Sequence, residues 1–428
     1  MAPEPSARKS LQLQHLLYAI ASLPFVLFAI LWALGAFKGT APDSRPVPSP
    51  SSTASPTPAP NTKDVSNTTR LDTAHHHPPG RNAADFYKQA WSLYKQLDLT
   101  DEEKQMLHKR SSKWDKTKAA ELFEKIQPIV EMLRQAKNAA YADWGIEFKK
   151  FSDRQPQFTA TLGLSELLAW NAAYEFQDNP ALAVSDLGIN LQMGNSVGNA
   201  AMIGLLVNGA ALGTAIDVLR GNAASLSPDL ARQTIALIQI SDLQKNLQAA
   251  LQVESELQSD FILSIKNKPD NLDLFFESLG INGPTADPQE NLRLRDFYKN
   301  NPTKITDELE WAENISREFA QKAMLPETTF DAWWQSTRQT SSSMPLTHPA
   351  MQVLGGVRER MADLALQSSL FRAGLAILQN GDSVLTNYRD PITSQLFQLV
   401  PNADGSELQS TFQYQGKPVT MQFSTPKP

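Results

Sequence analysis

The chain has 428 residues, a formal net charge of −6 and no cysteine. The acidic balance argues against a broad nucleic-acid surface. The missing thiols exclude disulfides, thiolate zinc sites, a cysteine nucleophile and a lipid-modified N-terminal cysteine.

After a short N-terminal arm, residues 1–15, a run of 22 residues over 16–37 carries no charged side chain. As a helix it is roughly 33 Å long, enough to cross a bilayer core of about 30 Å. Tyr18 and Trp32 lie toward its ends, where amphipathic rings favour the headgroup zone. Pro24 is compatible with such a helix. The apolar core of a cleaved signal peptide is shorter, although Ala33, Gly35 and Ala36 supply small residues near the end of the run. The sequence therefore predicts a transmembrane helix and a lipid bilayer as its first partner. Arg8 and Lys9 before the run balance Lys38 and Arg45 after it. The terminal amine and the short arm favour a cytoplasmic N-terminus, with the large domain outside the cytoplasm.

Residues 38–81 form a linker with Pro42, Pro46, Pro48, Pro50, Pro56, Pro58 and Pro60 set among Ser, Thr and Ala. Such a segment buries too little apolar surface to fold and stays extended or disordered. Fully extended it reaches about 130 Å, and as a flexible coil it averages ~36 Å. His75, His76 and His77, with Asp72 nearby, lie inside it with nothing to preorganise them, so no metal site is assigned.

Helical patterns follow over 82–380. Asn82 caps a pattern through Ala83, Phe86, Ala90, Leu93 and Leu97. Thr100 followed three residues later by Glu103 is a capping box. Residues 116–137 carry an apolar stripe, and patterns over 158–176 and 180–219 are parted by Asp178, Asn179 and Pro180. Ser227 and Pro228 open a helix predicted to run to Lys266. Prolines and glycines break up 267–303 into an irregular loop with one short helix. Helices return over 303–324, 328–339 and 349–380. Helix pairs joined by short turns suggest a helical-repeat-like layout without a fixed period. In residues 381–428 the pattern changes to alternation over 384–388, 396–400, 407–414 and 418–423, which predicts a small antiparallel β-unit. The expected fold class is mainly α: an N-terminal transmembrane helix, a disordered linker, a multi-helix bundle and that β-unit.

Few side chains suggest chemistry. Gly194, Asn195, Ser196, Val197 and Gly198 fit the G-x-S-x-G pattern, but that motif needs a strand-to-helix turn and both flanks here read as helix. Glycines four apart, Gly194/Gly198 and Gly209/Gly213, instead suit close helix approach, either in a buried soluble helix or in a second membrane span. Trp311, Trp333 and Trp334 are candidates for stacking on a sugar ring, with one of the adjacent pair expected in the core. Glu254 falls on the apolar stripe of Leu243, Leu247, Leu251, Leu257, Phe261 and Ile265. A carboxylate there must be paired or have a raised pKa. The two readings are a structural ion pair with Arg358 or Arg372, and a general acid in a cleft. No cofactor is implied.

Five segments in order carry a resemblance: residues 82–87, the glycine-rich stretch 194–219, Glu254 in 251–254, residues 371–376, and Asp390, Pro391, Ile392 and Thr393. With them the globular part resembles a loose set of uncharacterised bacterial single-pass membrane-anchored helical proteins. In that set the last element usually continues with a glycine and then a proline, where this chain has Ser394 and Leu396. Pseudopilin-like proteins show a similar Asp-Pro element near their end. The resemblance implies a bacterial envelope setting and brings no assigned activity. The expected role is a non-enzymatic, inner-membrane-anchored periplasmic binding or scaffolding module that meets other envelope proteins. The runner-up is an enzyme on envelope polymers with Glu254 as acid.

Overall fold

A computed structural model of the protein describes residues 79–108, 114–145, 156–198, 202–238, 246–253, 255–256, 259, 263, 293, 296–323, 327–341, 343–344, 348–402, 405–414 and 417–423. The apolar run 16–37, the linker up to residue 78, His75, His76, His77, Glu254 and most of 267–303 lie outside the described residues. The fold is mainly helical, with a small C-terminal antiparallel sheet.

The helix starts follow local chemistry. In α1 (Ala83–Tyr94) the Asn82 side chain accepts from the Ala84 N–H at 3.1 Å, and Ala83, Ala84, Tyr87 and Ala90 form its buried stripe. In α2 (Asp101–His108) the Glu103 carboxylate accepts from the Thr100 N–H (2.7 Å) and hydroxyl, while the Glu103 N–H donates back to Thr100 Oγ1. Asp115 caps α3 (Lys116–Arg134), which tightens into a 3-10 turn at Gln135–Asn138. Then come α4 (Pro156–Glu175), α5 (Pro180–Asn195, capped by Asn179), α6 (Met202–Gly221) and α7 (Pro228–Leu237, capped by Ser227). The long C-terminal helices are α8 (Pro302–Lys322), α9 (Glu327–Ser341) and α10 (His348–Asn380).

Three expectations need correction. The pattern over 180–219 is two helices, because the chain turns at residues 196–198. Gly204 lets α6 start against that turn: a Cβ there would collide with the Val197 carbonyl oxygen. The helix opened by Pro228 stops at Leu237, since Ile238 leaves helical geometry (φ −87°, ψ 83°) and is fully buried. Helical backbone resumes over 246–253. Residues 384–388 are not a strand but lie in a 3-10 stretch, Asp382–Asn387, and its end. Gly381 (φ 78°) turns the chain out of α10, and Val384, Leu385 and Tyr388 then pack against the core at helical spacing.

The sheet is a meander in the order β1 (Gln398–Asn402), β2 (Gly405–Tyr414), β3 (Lys417–Phe423). Leu408 pairs with Leu399 on one side and Met421 on the other. Leu408, Phe412, Val419 and Met421 are buried and join the same apolar cluster as Leu366, Leu370 and Phe371 of α10. Alternation thus turns one face of the sheet onto that helix.

Two apolar clusters share the central helices. One holds α1, α3 and one side of α4–α6, including Ile189, Met193, Ile203 and Val207. The other holds Val184, Leu187, Leu205 and Leu212 from those helices, with the C-terminal helices and the sheet. Helices buried on two sides must be apolar almost all round, which is why α4–α6 have no clear polar face. By length and composition α6 and residues Leu354–Asn380 are each apolar enough to cross a membrane, yet 83% and 78% of their most apolar windows are covered by protein. The described structure therefore places Met202–Gly221 as a central helix of the bundle.

Candidate functional site

The strongest polar constellation inside the described fold joins α3, α4 and α5. Arg134, at the last turn of α3, forks onto Asp186 of α5 with Nε to Oδ1 at 2.9 Å and Nη2 to Oδ2 at 2.8 Å. Asn171 of α4 donates to Asp186 Oδ2 at 2.9 Å, and Gln127 of α3 donates to Asn171 Oδ1 at 3.1 Å. Glu131 and Glu175 complete the ring around the guanidinium, at 2.7 and 3.5 Å. The Asp186 side chain is 0% exposed and that of Arg134 18%.

The electrostatics follow from this enclosure. Burial pushes the Asp186 carboxyl up, and the Arg134 hydrogen bonds and charge hold it back. Arg134 is pushed upward by the Asp186 hydrogen bonds, so it stays charged. Burial is also the main force raising Glu175, opposed by Arg134. The arrangement can fix three helices in register. With Asp186 closed to solvent, it presents no surface for a substrate at that carboxylate.

Glu175 offers a pH test. Its folded-state pKa is above its ordinary value, so the fold holds the protonated form better than the unfolded chain does. That contribution is full below the ordinary glutamate range and is lost as pH rises through the folded-state pKa. Glu175→Gln should therefore raise Tm at neutral pH by about 1–3 °C, and the gain should close on acidification below the glutamate range. Parallel thermal melts across pH check it.

The aromatic candidates fall in one cluster with different exposures. Trp334 is 6% exposed and packs with Phe319 and Phe330, its indole lying against Gly355. Trp333 donates its indole N–H to Glu318 at 3.0 Å and carries Lys322 over its ring at 4.7 Å. Trp311 is partly buried against the same core. Arg358 stacks over Phe330 at 3.8 Å and donates to the Ala323 carbonyl. Arg372 Nε is buried with no hydrogen-bond partner among the described residues. The structure brings Trp333, Trp334 and Arg358 together around Phe330; the pairing of either arginine with Glu254 lies outside the described residues.

Ser196 ends α5, donates its hydroxyl to the Met193 carbonyl and accepts from Trp144 Nε1 at 3.0 Å. It sits at a helix end and not on a strand-to-helix turn. The glycines of that region do permit close approach: a Cβ at Gly194 would meet Ala211 at 2.9 Å, and one at Gly209 would meet Leu364 at 2.8 Å. In the Asp-Pro element, Asp390 is buried, with Oδ1 accepting from the Ile392 and Thr393 N–H groups and Oδ2 from the Ser410 hydroxyl of β2. Ser394 follows at φ 60°, a conformation that favours glycine.

The sequence reading missed Arg134 and Asp186. A usable signal was present: Asp186 is the one charge between Pro180 and Leu219 besides Asp217, among Val184, Leu187, Ile189 and Leu191. The same pattern, a lone carboxylate on an apolar stripe, marks Glu254. In comparisons with known proteins, no family model, no curated protein and no solved structure matches this chain.

Proposed function

We propose that this protein is a non-enzymatic binding or scaffolding module of the bacterial envelope. Residues 16–37 hold it in the inner membrane, the linker 38–81 spaces it from the bilayer, and its helical domain meets other envelope proteins in the periplasm. The observation that carries the reading is the uncharged 22-residue run joined directly to a proline-rich linker. The internal use of the domain's polar groups supports it. Arg134, Asp186 and Asn171 serve one another, and Trp333 is engaged by Glu318 and Lys322.

Affinity purification of the full chain from detergent-solubilised membranes tests the proposal. The expected result is a membrane-fraction protein that brings down specific envelope proteins in stoichiometric amounts. Recovery as a freely soluble polypeptide retaining residues 16–37 would overturn the anchor. Empty purifications together with hydrolysis of cell-wall fragments, lost in Glu254→Gln, would overturn the scaffold in favour of an enzyme.

A further inference from the structure

The linker joins the domain at a fixed point. The Ala140 N–H donates to the Arg81 carbonyl at 3.1 Å and the Ala83 N–H to the Tyr141 carbonyl at 2.8 Å. The Asn82 side-chain amide bonds both backbone groups of Asp143, at 2.7 and 2.8 Å. Helix α1 rises straight from this clamp.

Two aromatic rings stand one turn apart on that helix. Trp91 and Tyr94 stack with centroids 5.1 Å apart and planes 13° from parallel. Both are partly exposed. Gly163 of α4 lets Trp91 lie against the α4 backbone, since a Cβ there would come within 2.8 Å of the ring. The pair is therefore braced from below. The Trp91 indole N–H makes no hydrogen bond among the described residues. Burial and the Glu166 charge raise the Tyr94 hydroxyl above its ordinary range, so it remains a donor.

Flat aromatic faces beside available ring donors are the chemistry that recognises a polyproline helix. Proline rings pack on the faces, and the solvated carbonyls accept from indole and phenol. The same chain supplies that ligand: residues 42–60 hold seven prolines. The stretch between Pro60 and Asn82 averages about 23–28 Å as a coil, while Trp91 lies roughly 14 Å along α1 from the clamp. A linker of that length gives an effective concentration of order millimolar. Even a weak polyproline site is then substantially occupied.

We propose that the Trp91–Tyr94 pair is a docking surface for this chain's own proline-rich segment, residues 42–60. The linker then has a parked, short state and a released, long one, which sets how far the domain stands from its attachment. The docking itself does not depend on what the domain binds, and its effect on reach rests on the proposed attachment through residues 16–37.

The chain has no cysteine, so two spin labels can be placed cleanly through Thr53→Cys and Gln96→Cys in the full-length protein in detergent. A free coil between residues 53 and 82 averages about 27–32 Å with a broad spread, and Gln96 stands roughly 21 Å further along α1, so an undocked linker gives a broad distribution centred beyond about 30 Å. Pulsed electron-spin distance measurements should instead show a narrow, short population. That population should fall several-fold when Pro46, Pro48, Pro50, Pro56 and Pro58 are all replaced by alanine, changes that leave the domain untouched. It should fall equally in Trp91→Ala/Tyr94→Ala, with folding checked by circular dichroism. A broad coil distribution in the parent overturns the proposal, as does a narrow population that survives both sets of substitutions. Loss of the short distance on dilution with unlabelled protein also overturns it, because the occupant would then be the linker of a second copy.

Discussion

Asp186→Ala is expected to destabilise the domain by about 3 kcal/mol, toward the lower end of the range for breaking a buried pair. The substitution leaves Arg134 without its two-point partner and removes the acceptor of the Asn171 amide. An uncompensated guanidinium at 18% exposure is the main source of the loss. Glu175, 3.5 Å from Nη2, takes up part of the charge, which keeps the effect from the top of the range. Removing both charges, with Arg134→Met and Asp186→Leu together, should recover most of the stability, because a buried ion pair is often replaceable by apolar side chains of similar volume. Denaturant unfolding of the single and double variants measures this. A loss under about 1 kcal/mol for Asp186→Ala would show that the pair does not pin α3 to α5.

Gly204→Ala should also be strongly destabilising, by about 2–3 kcal/mol. Two effects oppose each other. Alanine is the better helix former by about 1 kcal/mol, which favours the variant. Its Cβ, however, would collide with the Val197 carbonyl oxygen and stand 3.2 Å from the Phe158 ring. The first neighbour is backbone at the α5–α6 corner, so no rotamer relieves the contact and the corner itself must open. Gly356→Ala is the matched control, because its Cβ would meet nothing within 4 Å. The same chemical change there should stabilise by about 0.5–1 kcal/mol. Opposite signs in thermal melts support the packing account. Similar small gains at both sites would mean that the corner is loosely packed.

The helix starts were the most legible part of this chain. Thr100 with Glu103, Asn179 with Pro180 and Ser227 with Pro228 cap the helices they signalled, because a cap satisfies backbone groups within three residues of itself. The strands around Leu408 and Val419 were readable from alternation for the same local reason. The turn at residues 196–198 was hidden because its glycines, Gly194 and Gly198, read as helix-packing positions between two helical patterns. Residues 384–388 read locally as a strand, yet Val384, Leu385 and Tyr388 pack partly buried against the core from a 3-10 stretch and its end.

The amino-acid sequence alone determined the uncharged run, the proline-rich linker, the succession of helices and the final β-unit, since each depends on neighbours a few residues apart. Only the tertiary structure decided which charge is buried against which. Arg134 and Asp186 are 52 positions apart, and no local spacing connects them. It also separated Trp334, enclosed by Phe319 and Phe330, from Trp333, held by Glu318 and Lys322. Adjacent residues on a helix point about 100° apart, and what each one meets is set by helices distant in the chain.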